Sequence, residues 1–206
     1  MSYLSKSGQI LFWVMTLGVA LVSYRFFPLG LEQAFQGMSA HILERPLAFI
    51  MHISLAPVAL IIGLFQFLPG LRSRRPALHR WSGRIYLLAV TVSGFAGLTM
   101  ALASFDRPVA AVGFAGLAVF WLVTTGRAVQ LAMGGRISDH RRWMIRSYAL
   151  TLAAVTLRIY LPAFFVIGGM DYAEASNYVA WLCWAPNILL AEFILRLKPQ
   201  WLPHSA

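Results

Sequence analysis

Apolar residues in this chain are gathered into long runs that short polar segments separate. The runs cover about residues 8–24, 46–69, 84–104, 109–131, 145–168 and 178–197. Since an α-helix rises about 1.5 Å per residue, each run is long enough to cross roughly 30 Å of hydrocarbon. No run alternates strictly between apolar and polar residues, as the strands of a membrane barrel do. Because lipid offers the backbone no hydrogen-bond partner, the pattern predicts an all-α protein with six transmembrane helices.

The composition supports a polytopic membrane protein. Of the 206 residues, 59% are hydrophobic and 12% are charged, with a mean hydropathy of +0.69, whereas soluble domains carry roughly 25% charged residues. We therefore expect a single transmembrane domain over residues 1–206. No basic soluble domain lies outside the runs, so the net charge of +10 predicts no nucleic-acid partner. The one cysteine, Cys183, excludes an intrachain disulfide.

The first run is compatible with a cleaved signal peptide or with a first span. Lys6 precedes the apolar residues 10–22, as the basic residue of a signal peptide does, but no small-x-small cleavage site follows. We interpret this run as an uncleaved first span.

Basic residues collect on one side of the predicted topology. The opposite connections carry only Arg25, Arg45 and Arg107, together with most of the acidic residues. An excess of this kind places the basic side in the cytoplasm. The sequence therefore predicts a multi-pass protein of the bacterial cytoplasmic membrane, with both termini cytoplasmic and anionic lipid headgroups against the basic side. The residues on that side are Arg72, Arg74, Arg75, Arg80, Arg84, Arg127, Arg136, Arg141, Arg142, Arg146, Lys6, Arg196 and Lys198.

Two segments on the basic side share one order of residues: Gln, Gly, Arg, His-Arg, Trp, Arg, Tyr. The first copy is Gln66, Gly70, Arg72, His79, Arg80, Trp81, Arg84 and Tyr86, and the second is Gln130, Gly134, Arg136, His140, Arg141, Trp143, Arg146 and Tyr148. If the repeat is real, helices 2–3 and 4–5 are two copies of one hairpin, related by a pseudo-twofold axis along the membrane normal. This predicts a four-helix core with helices 1 and 6 outside it.

One face of the second helix carries a histidine and small residues. Small residues allow a neighbouring helix, or a flat ligand, to approach the backbone closely. One interpretation is a tight helix–helix contact with a hydrogen-bonded His52. The other makes His52 a haem or metal ligand, or a proton carrier. The face consists of His52, Ala56, Ala59, Gly63, Gln66 and Gly70.

Arg158 lies close to the middle of the fifth run, where an arginine needs a partner or water. Ser147 and Thr151 share its face. We expect its partners on the sixth helix, from Asn187 at similar depth or from Glu192, the one acidic residue inside a run. These groups form either an ion pair that fixes the sixth helix, a pocket for an anion, quinone or lipid headgroup, or a proton route. The candidate partners of Glu192 are Arg84, Arg146 and Arg158.

Each repeated segment begins a helix with a histidine and arginines, and we call these two sets the basic thresholds. Such residues at a membrane interface hold anionic headgroups. An alternative is a haem b, or a metal, bound between His79 and His140. The repeat places Gly116 opposite His52, so His41 is the one other histidine on that side. The threshold residues are His79, Arg80, Arg84, His140, Arg141 and Arg146.

The combination of these motifs is similar to that of a known family. The set is His52 with Gln66-Phe67, His79-Arg80-x-x-Gly83-Arg84-x-Tyr86, His140-Arg141-x-x-Met144-x-Arg146-Ser147, Arg158, and Asn187 with Ala191-Glu192. Over about residues 46–195 it resembles a bacterial family of predicted membrane proteins, the domain of unknown function 2306. That resemblance implies a membrane protein and brings no established activity. More locally, the segment 79–83 is similar to one found in b-type cytochromes whose four-helix cores hold haem.

No P-loop, dinucleotide-binding or H-E-x-x-H motif occurs, so the sequence leaves open whether the protein is an enzyme. The residues above suggest three functions. The first is binding of a small or lipid-like ligand in a polar intramembrane pocket of His52, Gln66, Arg158, Asn187 and Glu192. The second is haem-dependent electron transfer to a quinone or similar acceptor, with ligands among His52, His79 and His140. The third is a small transporter or proton-coupled channel.

Overall fold

The chain is helical throughout the part that the structure describes. The computed structural model describes residues 5–104 and 107–197, except for the side chain of Pro69. No strand occurs within these ranges, which confirms the prediction of an all-α protein. The helices are α1 (Lys6–Ser23), α2 (Phe26–Leu29), α3 (Leu31–Ala34), α4 (Ser39–Glu44), α5 (Pro46–Gln66), α6 (Pro69–Arg74), α7 (Pro76–Leu102), α8 (Pro108–Met133), α9 (Ile137–Thr151), α10 (Ala153–Val166), α11 (Tyr172–Leu182) and α12 (Ala185–Leu197).

Six helical segments among the described residues are long and apolar enough to cross a membrane, as predicted. We number them spans 1 to 6: Lys6–Leu29, Pro46–Gln66, Pro76–Leu102, Pro108–Met133, Ile137–Val166 and Tyr172–Leu197. Spans 3, 5 and 6 begin well ahead of their apolar runs. For span 3 the reason is Pro76, which is favourable at the first helical position because its missing N–H would have no partner there. His79 and His140 therefore lie inside helices rather than ahead of them.

Spans 5 and 6 are each interrupted near their middle, which the apolar pattern did not predict. In span 6 the break falls at residues 183–184. Pro186 explains it, because a proline ring clashes with the carbonyl of the fourth residue before it, where α11 ends. In span 5 the break falls at Leu152, directly after Thr151. The Thr151 hydroxyl donates to Ser147 O at 2.9 Å, a back-bond that bends helices.

Short connections make consecutive spans antiparallel, so the bundle has two ends. The basic end is the one with the connections 67–75 and 134–136. The opposite end has the connections 30–45 and 167–171, together with the end of span 3 and the start of span 4. At the opposite end, residues 26–44 fold back over spans 2 and 3. The Phe35 ring meets the buried Phe49 ring edge-on at 5.1 Å, and Arg25 lies over Phe35 at 4.7 Å.

The spans pack around a shared centre. Span 2 packs along span 3, span 3 along span 4, and span 4 along α9 of span 5. Span 6 lies against span 4 and both halves of span 5, while span 1 lies against span 2 and α10. A twofold axis relating the hairpins would make the contact between spans 2 and 5 equivalent to that between spans 3 and 4. The former is much smaller and involves α9, so the pseudo-twofold core stays a prediction.

Large aromatic and aliphatic side chains fill the centre of the bundle, and further large apolar side chains cover its outer surface. Tyr86, Leu64 and Val90 are almost completely buried there. Leu11, Phe120, Leu189 and many other large apolar residues are exposed on the spans, a distribution suited to hydrocarbon rather than to water. The polar chemistry of the molecule is therefore confined to its two ends and to groups bonded between the spans.

Candidate functional site

A network of buried hydroxyl groups joins spans 3, 4 and 5. The Tyr86 hydroxyl lies 2.8 Å from Ser147 Oγ and 2.9 Å from Thr151 Oγ1. The indole N–H of Trp121 donates to Thr151 Oγ1 at 2.9 Å, and Thr125 Oγ1 lies 2.6 Å from Ser147 Oγ. All five side chains are buried. The face shared by Ser147 and Thr151 was visible in the sequence, but their partners were not, since those lie on two other spans.

A tight contact surrounds Gly63 of span 2. A Cβ added there would lie 2.5 Å from two carbons of the Tyr148 ring and 2.9 Å from a carbon of the Tyr86 ring. The Tyr148 hydroxyl donates to Leu60 O at 3.2 Å. The glycine on the predicted small-residue face therefore admits the two tyrosines that end the repeated segments. This part of the face is a helix–helix contact.

His52 is held against span 3 near the opposite end. Its Nδ1 lies 2.8 Å from Ser93 O, so Nδ1 carries the proton that is donated to that carbonyl. A Cβ at Gly97 would approach this nitrogen to 3.0 Å, so the glycine leaves room for the ring close to the helix backbone. In the neutral ring Nε2 is then left as an acceptor. The half-buried His52 also lies within electrostatic range of Arg158.

Arg158 bonds to span 1 and not to span 6. Its Nη2 donates to Ser23 Oγ at 2.8 Å, and its Nη1 donates to Ala154 O of its own helix at 3.0 Å. Ser23 is the last residue of α1. The arginine is therefore nearer the opposite end than the sequence suggested, and neither Asn187 nor Glu192 is its partner. No carboxylate among the described residues forms an ion pair with it.

Asn187 and Glu192 each fasten span 6 to span 5 at a different level. Asn187 Nδ2 donates to Thr156 Oγ1 at 2.8 Å and to Cys183 O, at the break in span 6, at 3.0 Å. Glu192 accepts from Arg146 at 2.5 and 3.1 Å. Arg146 is thus the partner of Glu192 among the three candidates, and the two residues form a structural ion pair at the basic end.

Gln66 ties span 2 to span 3 near the basic end. Its Nε2 donates to Ser82 Oγ at 2.5 Å, and the Ser82 hydroxyl donates to Leu78 O at 2.6 Å. The repeat mate Gln130 is exposed, and its Oε1 accepts from Arg127 at 3.3 Å. The two repeated segments therefore place equivalent glutamines in different surroundings.

The two basic thresholds meet at the basic end. His140 Nδ1 donates to Ala128 O at 2.8 Å. His79 Nδ1 is buried and has no hydrogen-bond partner among the described residues. His79 lies within electrostatic range of His140, Arg72 and Arg80. The two histidines belong to different repeated segments, and the fold brings them within electrostatic range of one another.

Two threshold arginines stack on tryptophan rings, and a third lies near an arginine of the other segment. Arg84 lies over the Trp81 ring at 4.7 Å, and Arg146 lies over the Trp143 ring at 5.0 Å. Arg141 is within electrostatic range of Arg72 from the other segment. The stacked pairs are equivalent in the two repeats and suit a membrane interface.

The histidines do not gather into one metal centre in the described part of the chain. No three His, Cys, Asp or Glu side chains there lie close enough to hold an ion. His52 is near the opposite end, whereas His79 and His140 are at the basic end. His41, the other histidine on the side of His52, lies 3.3 Å from Ser104 Oγ through its Nε2.

Six apolar helical spans with polar side chains bonded between them define a polytopic α-helical membrane protein. Residues 49–195 match the family described as "Predicted membrane protein (DUF2306)", so the chain belongs to that family. The match confirms the resemblance seen in the motifs and assigns no activity. No match was found among curated proteins or among solved structures. The local similarity to haem-binding cytochromes is not shown by these comparisons.

Proposed function

We propose that the protein binds a small, lipid-like anion between spans 1, 2 and 5, at the end opposite the basic end. The observation that carries the proposal is the Arg158 guanidinium, which lies inside a span and whose partners among the described residues are one hydroxyl and one backbone carbonyl. An arginine in a membrane is costly unless a counter-charge or water accompanies it. An anionic ligand supplies that counter-charge.

The groups around Arg158 fit an anion better than a cation. Arg25 is within electrostatic range of Arg158, and so is His52. The Ser23 hydroxyl already accepts from the guanidinium and has a proton of its own, which it donates to Val19 O at 2.7 Å. Guanidinium groups form paired hydrogen bonds with carboxylates and phosphates, and the apolar spans alongside suit a hydrocarbon tail.

Of the five pocket residues predicted from the sequence, we propose that only two bind the ligand. Gln66, Asn187 and Glu192 each have a bond that fastens two spans, so we assign them to the framework. His52 and Arg158 remain as ligand-binding residues. We propose in addition that the basic end faces the cytoplasm of a bacterium, with anionic headgroups against it. The positive-inside bias supports this orientation, and the Arg158 site then lies in the outer half of the cytoplasmic membrane.

The test compares an anionic amphiphile with an uncharged one. The full-length protein in uncharged detergent is titrated with a dansyl-labelled fatty acid and with the matching fatty alcohol, and binding is followed by fluorescence. We expect the acid to bind at least about tenfold more tightly, because a charged hydrogen bond contributes on the order of 1.5–3 kcal/mol. Arg158→Gln removes the difference, and the control Arg127→Gln, an exposed arginine of span 4, keeps it. Equal binding of acid and alcohol, or an unchanged preference in Arg158→Gln, contradicts the proposal.

Haem-dependent electron transfer is a second candidate because of one feature of the histidines. His52 and His140 both donate from Nδ1 to a backbone carbonyl, which leaves Nε2 to coordinate iron, as in haem and metal sites. A Soret band in protein from haem-replete cells, lost in His52→Ala or His140→Ala, supports it. A colourless and folded preparation excludes it. Transport would require a water path from Arg158 to the basic end and is not part of the proposal.

A further inference from the structure

The basic end contains a cluster of arginine and histidine side chains contributed by both repeated segments. We call it the threshold cluster: Arg72, His79, Arg80, His140 and Arg141. Arg72 is the central member, since it lies within electrostatic range of His79 from its own segment and of Arg141 from the other. His79 and His140 are likewise within range of one another.

No acidic side chain of the described residues neutralises this cluster. Asp139, next to His140 in the sequence, accepts from Nε of Arg136 at 2.8 Å and also pairs with its Nη2. Glu192 is paired with Arg146. Both carboxylates near this end are therefore occupied by arginines outside the cluster. The guanidinium groups of this cluster repel one another, and an anion bound between them would offset that repulsion.

One atom indicates where such an anion would bind. His79 Nδ1 is buried and has no partner among the described residues, whereas its repeat mate His140 satisfies the same atom with Ala128 O. A buried polar atom without a partner destabilises the folded protein, because it has lost its hydrogen bond to water and gained none in return. Native structures seldom retain such an atom unless a ligand, ion or water completes it. An oxygen of a bound anion would accept from this nitrogen.

We propose that the threshold cluster is a binding site for a phosphate group, in which His79 Nδ1 and the guanidinium groups of Arg72 and Arg141 donate to the phosphate oxygens. A phosphate offers several acceptor oxygens in a tetrahedral arrangement, which suits donors that converge from two helical hairpins. The phosphate belongs either to a phospholipid headgroup or to free inorganic phosphate, and the chemistry of recognition is the same. The site lies at the other end of the bundle from Arg158 and does not depend on ligand binding there, and its headgroup form rests on the proposal that anionic headgroups lie against the basic end.

The first experiment measures phosphate binding by the full-length chain. Protein in nanodiscs of phosphatidylcholine alone is titrated with inorganic phosphate, and protein in nanodiscs containing phosphatidylglycerol is analysed by native mass spectrometry for lipid retained by the protein. The test variant is Arg72→Gln/Arg141→Gln. The control is Arg74→Gln/Arg75→Gln, which removes the same charge from two exposed arginines of the same connection.

We expect the test variant to lose at least about tenfold in phosphate or phosphatidylglycerol binding, the effect of one lost charged hydrogen bond, and the control to bind like the wild type. Retained phosphatidylglycerol without binding of inorganic phosphate identifies a headgroup site, and the reverse identifies a site for the free ion. Equal losses in the two variants show a general charge effect and overturn the proposal, as does the absence of binding in both arms. Fatty-acid binding at Arg158 should be unchanged in the test variant, which separates the two sites.

A second pair of variants tests the orphan nitrogen itself. In His79→Asn the side-chain amide N–H lies near the position of Nδ1, whereas in His79→Gln it lies nearer that of Nε2. We expect the asparagine variant to retain most of the binding and the glutamine variant to lose about tenfold or more. Thermal unfolding of both variants checks that they fold. Equal binding by the two folded variants means that His79 Nδ1 does not contact the phosphate and overturns its assigned role.

Discussion

Gly63 is the position where the smallest change should have the largest effect on packing. An alanine methyl group there would lie 2.5 Å from two ring carbons of Tyr148 and 2.9 Å from a ring carbon of Tyr86. Overpacking of this kind costs about 1–3 kcal/mol, so Gly63→Ala should lower the thermal midpoint. Cys183, the one cysteine, is fully buried, and its reaction with a thiol-reactive dye reports unfolding.

The matched control for Gly63→Ala is Gly126→Ala in span 4. Nothing lies within 4 Å of a Cβ added at Gly126, and alanine is a better helix former than glycine by about 0.5–1 kcal/mol. Gly126→Ala should therefore unfold at the same temperature as the wild type or slightly above it. A Gly63→Ala protein as stable as this control would show that the two tyrosine rings do not pack against span 2.

The Tyr86 hydroxyl should contribute to stability through its two buried partners. Tyr86→Phe leaves Ser147 and Thr151 without that hydroxyl, and a bond lost between buried groups costs on the order of 1–3 kcal/mol. Reversible unfolding in a mixed-detergent titration measures the difference. The control is Tyr178→Phe, at an exposed tyrosine whose ring stacks on Phe164. This variant keeps the stacked ring and should be as stable as the wild type. Equal stabilities of the two variants would contradict the buried network.

Single residues also show where reasoning from the sequence reached its limit. His52 and Arg158 stood out because a polar group inside an apolar run must be satisfied. Their partners could not be read in the same way, because a partner depends on the rotation and depth of a helix far along the chain. Ser23, which accepts from Arg158, is 135 residues away from it in the sequence. The apolar pattern of span 1 gave no indication of this bond.

At the scale of helices, the Arg146–Glu192 pair should couple α9 to α12. The side chains are only 17% and 31% exposed, so the pair is screened less than the Arg136–Asp139 pair, at 61% and 37%. A double-mutant cycle of Arg146→Gln and Glu192→Gln should give a coupling energy of about 1 kcal/mol. The cycle of Arg136→Gln and Asp139→Asn should give a smaller one that salt abolishes. Coupling as weak and as salt-sensitive in the first cycle would mean that the Arg146–Glu192 pair does not hold α12 against α9.

The helices themselves were predictable in number and less so in extent. Apolar runs mark the hydrocarbon-facing part of a helix, so their number gave the six spans. Helical hydrogen bonding continues into polar residues, which is why α7 begins at Pro76 and α9 at Ile137, beyond the runs. The breaks at Leu152 and before Pro186 come from local backbone chemistry that hydropathy does not register.

For the whole molecule, the pseudo-twofold core is where sequence and structure diverge most. The order of residues in the two repeated segments predicts equivalent hairpins, yet Gln66 is buried while Gln130 is exposed, and His79 lacks the bond that His140 makes. Spans 1 and 6 add unequal surroundings to the two copies, since span 6 packs on α8 and span 1 on α5. Divergence at equivalent positions of this kind would allow one copy to contribute structure and the other a ligand-binding group.

The orientation of the whole molecule gives the last prediction, since both proposed sites are assigned to membrane faces through it. Gln36 is exposed at the opposite end and Ser138 is exposed at the basic end. If the basic end is cytoplasmic, a membrane-impermeant maleimide should label Gln36→Cys in intact spheroplasts, and Ser138→Cys only after they are permeabilised. The wild type, whose Cys183 is buried, is the unlabelled control. The reverse pattern would place the Arg158 site in the inner half of the membrane and the threshold cluster outside the cell, and labelling of both from outside would contradict the six-span topology.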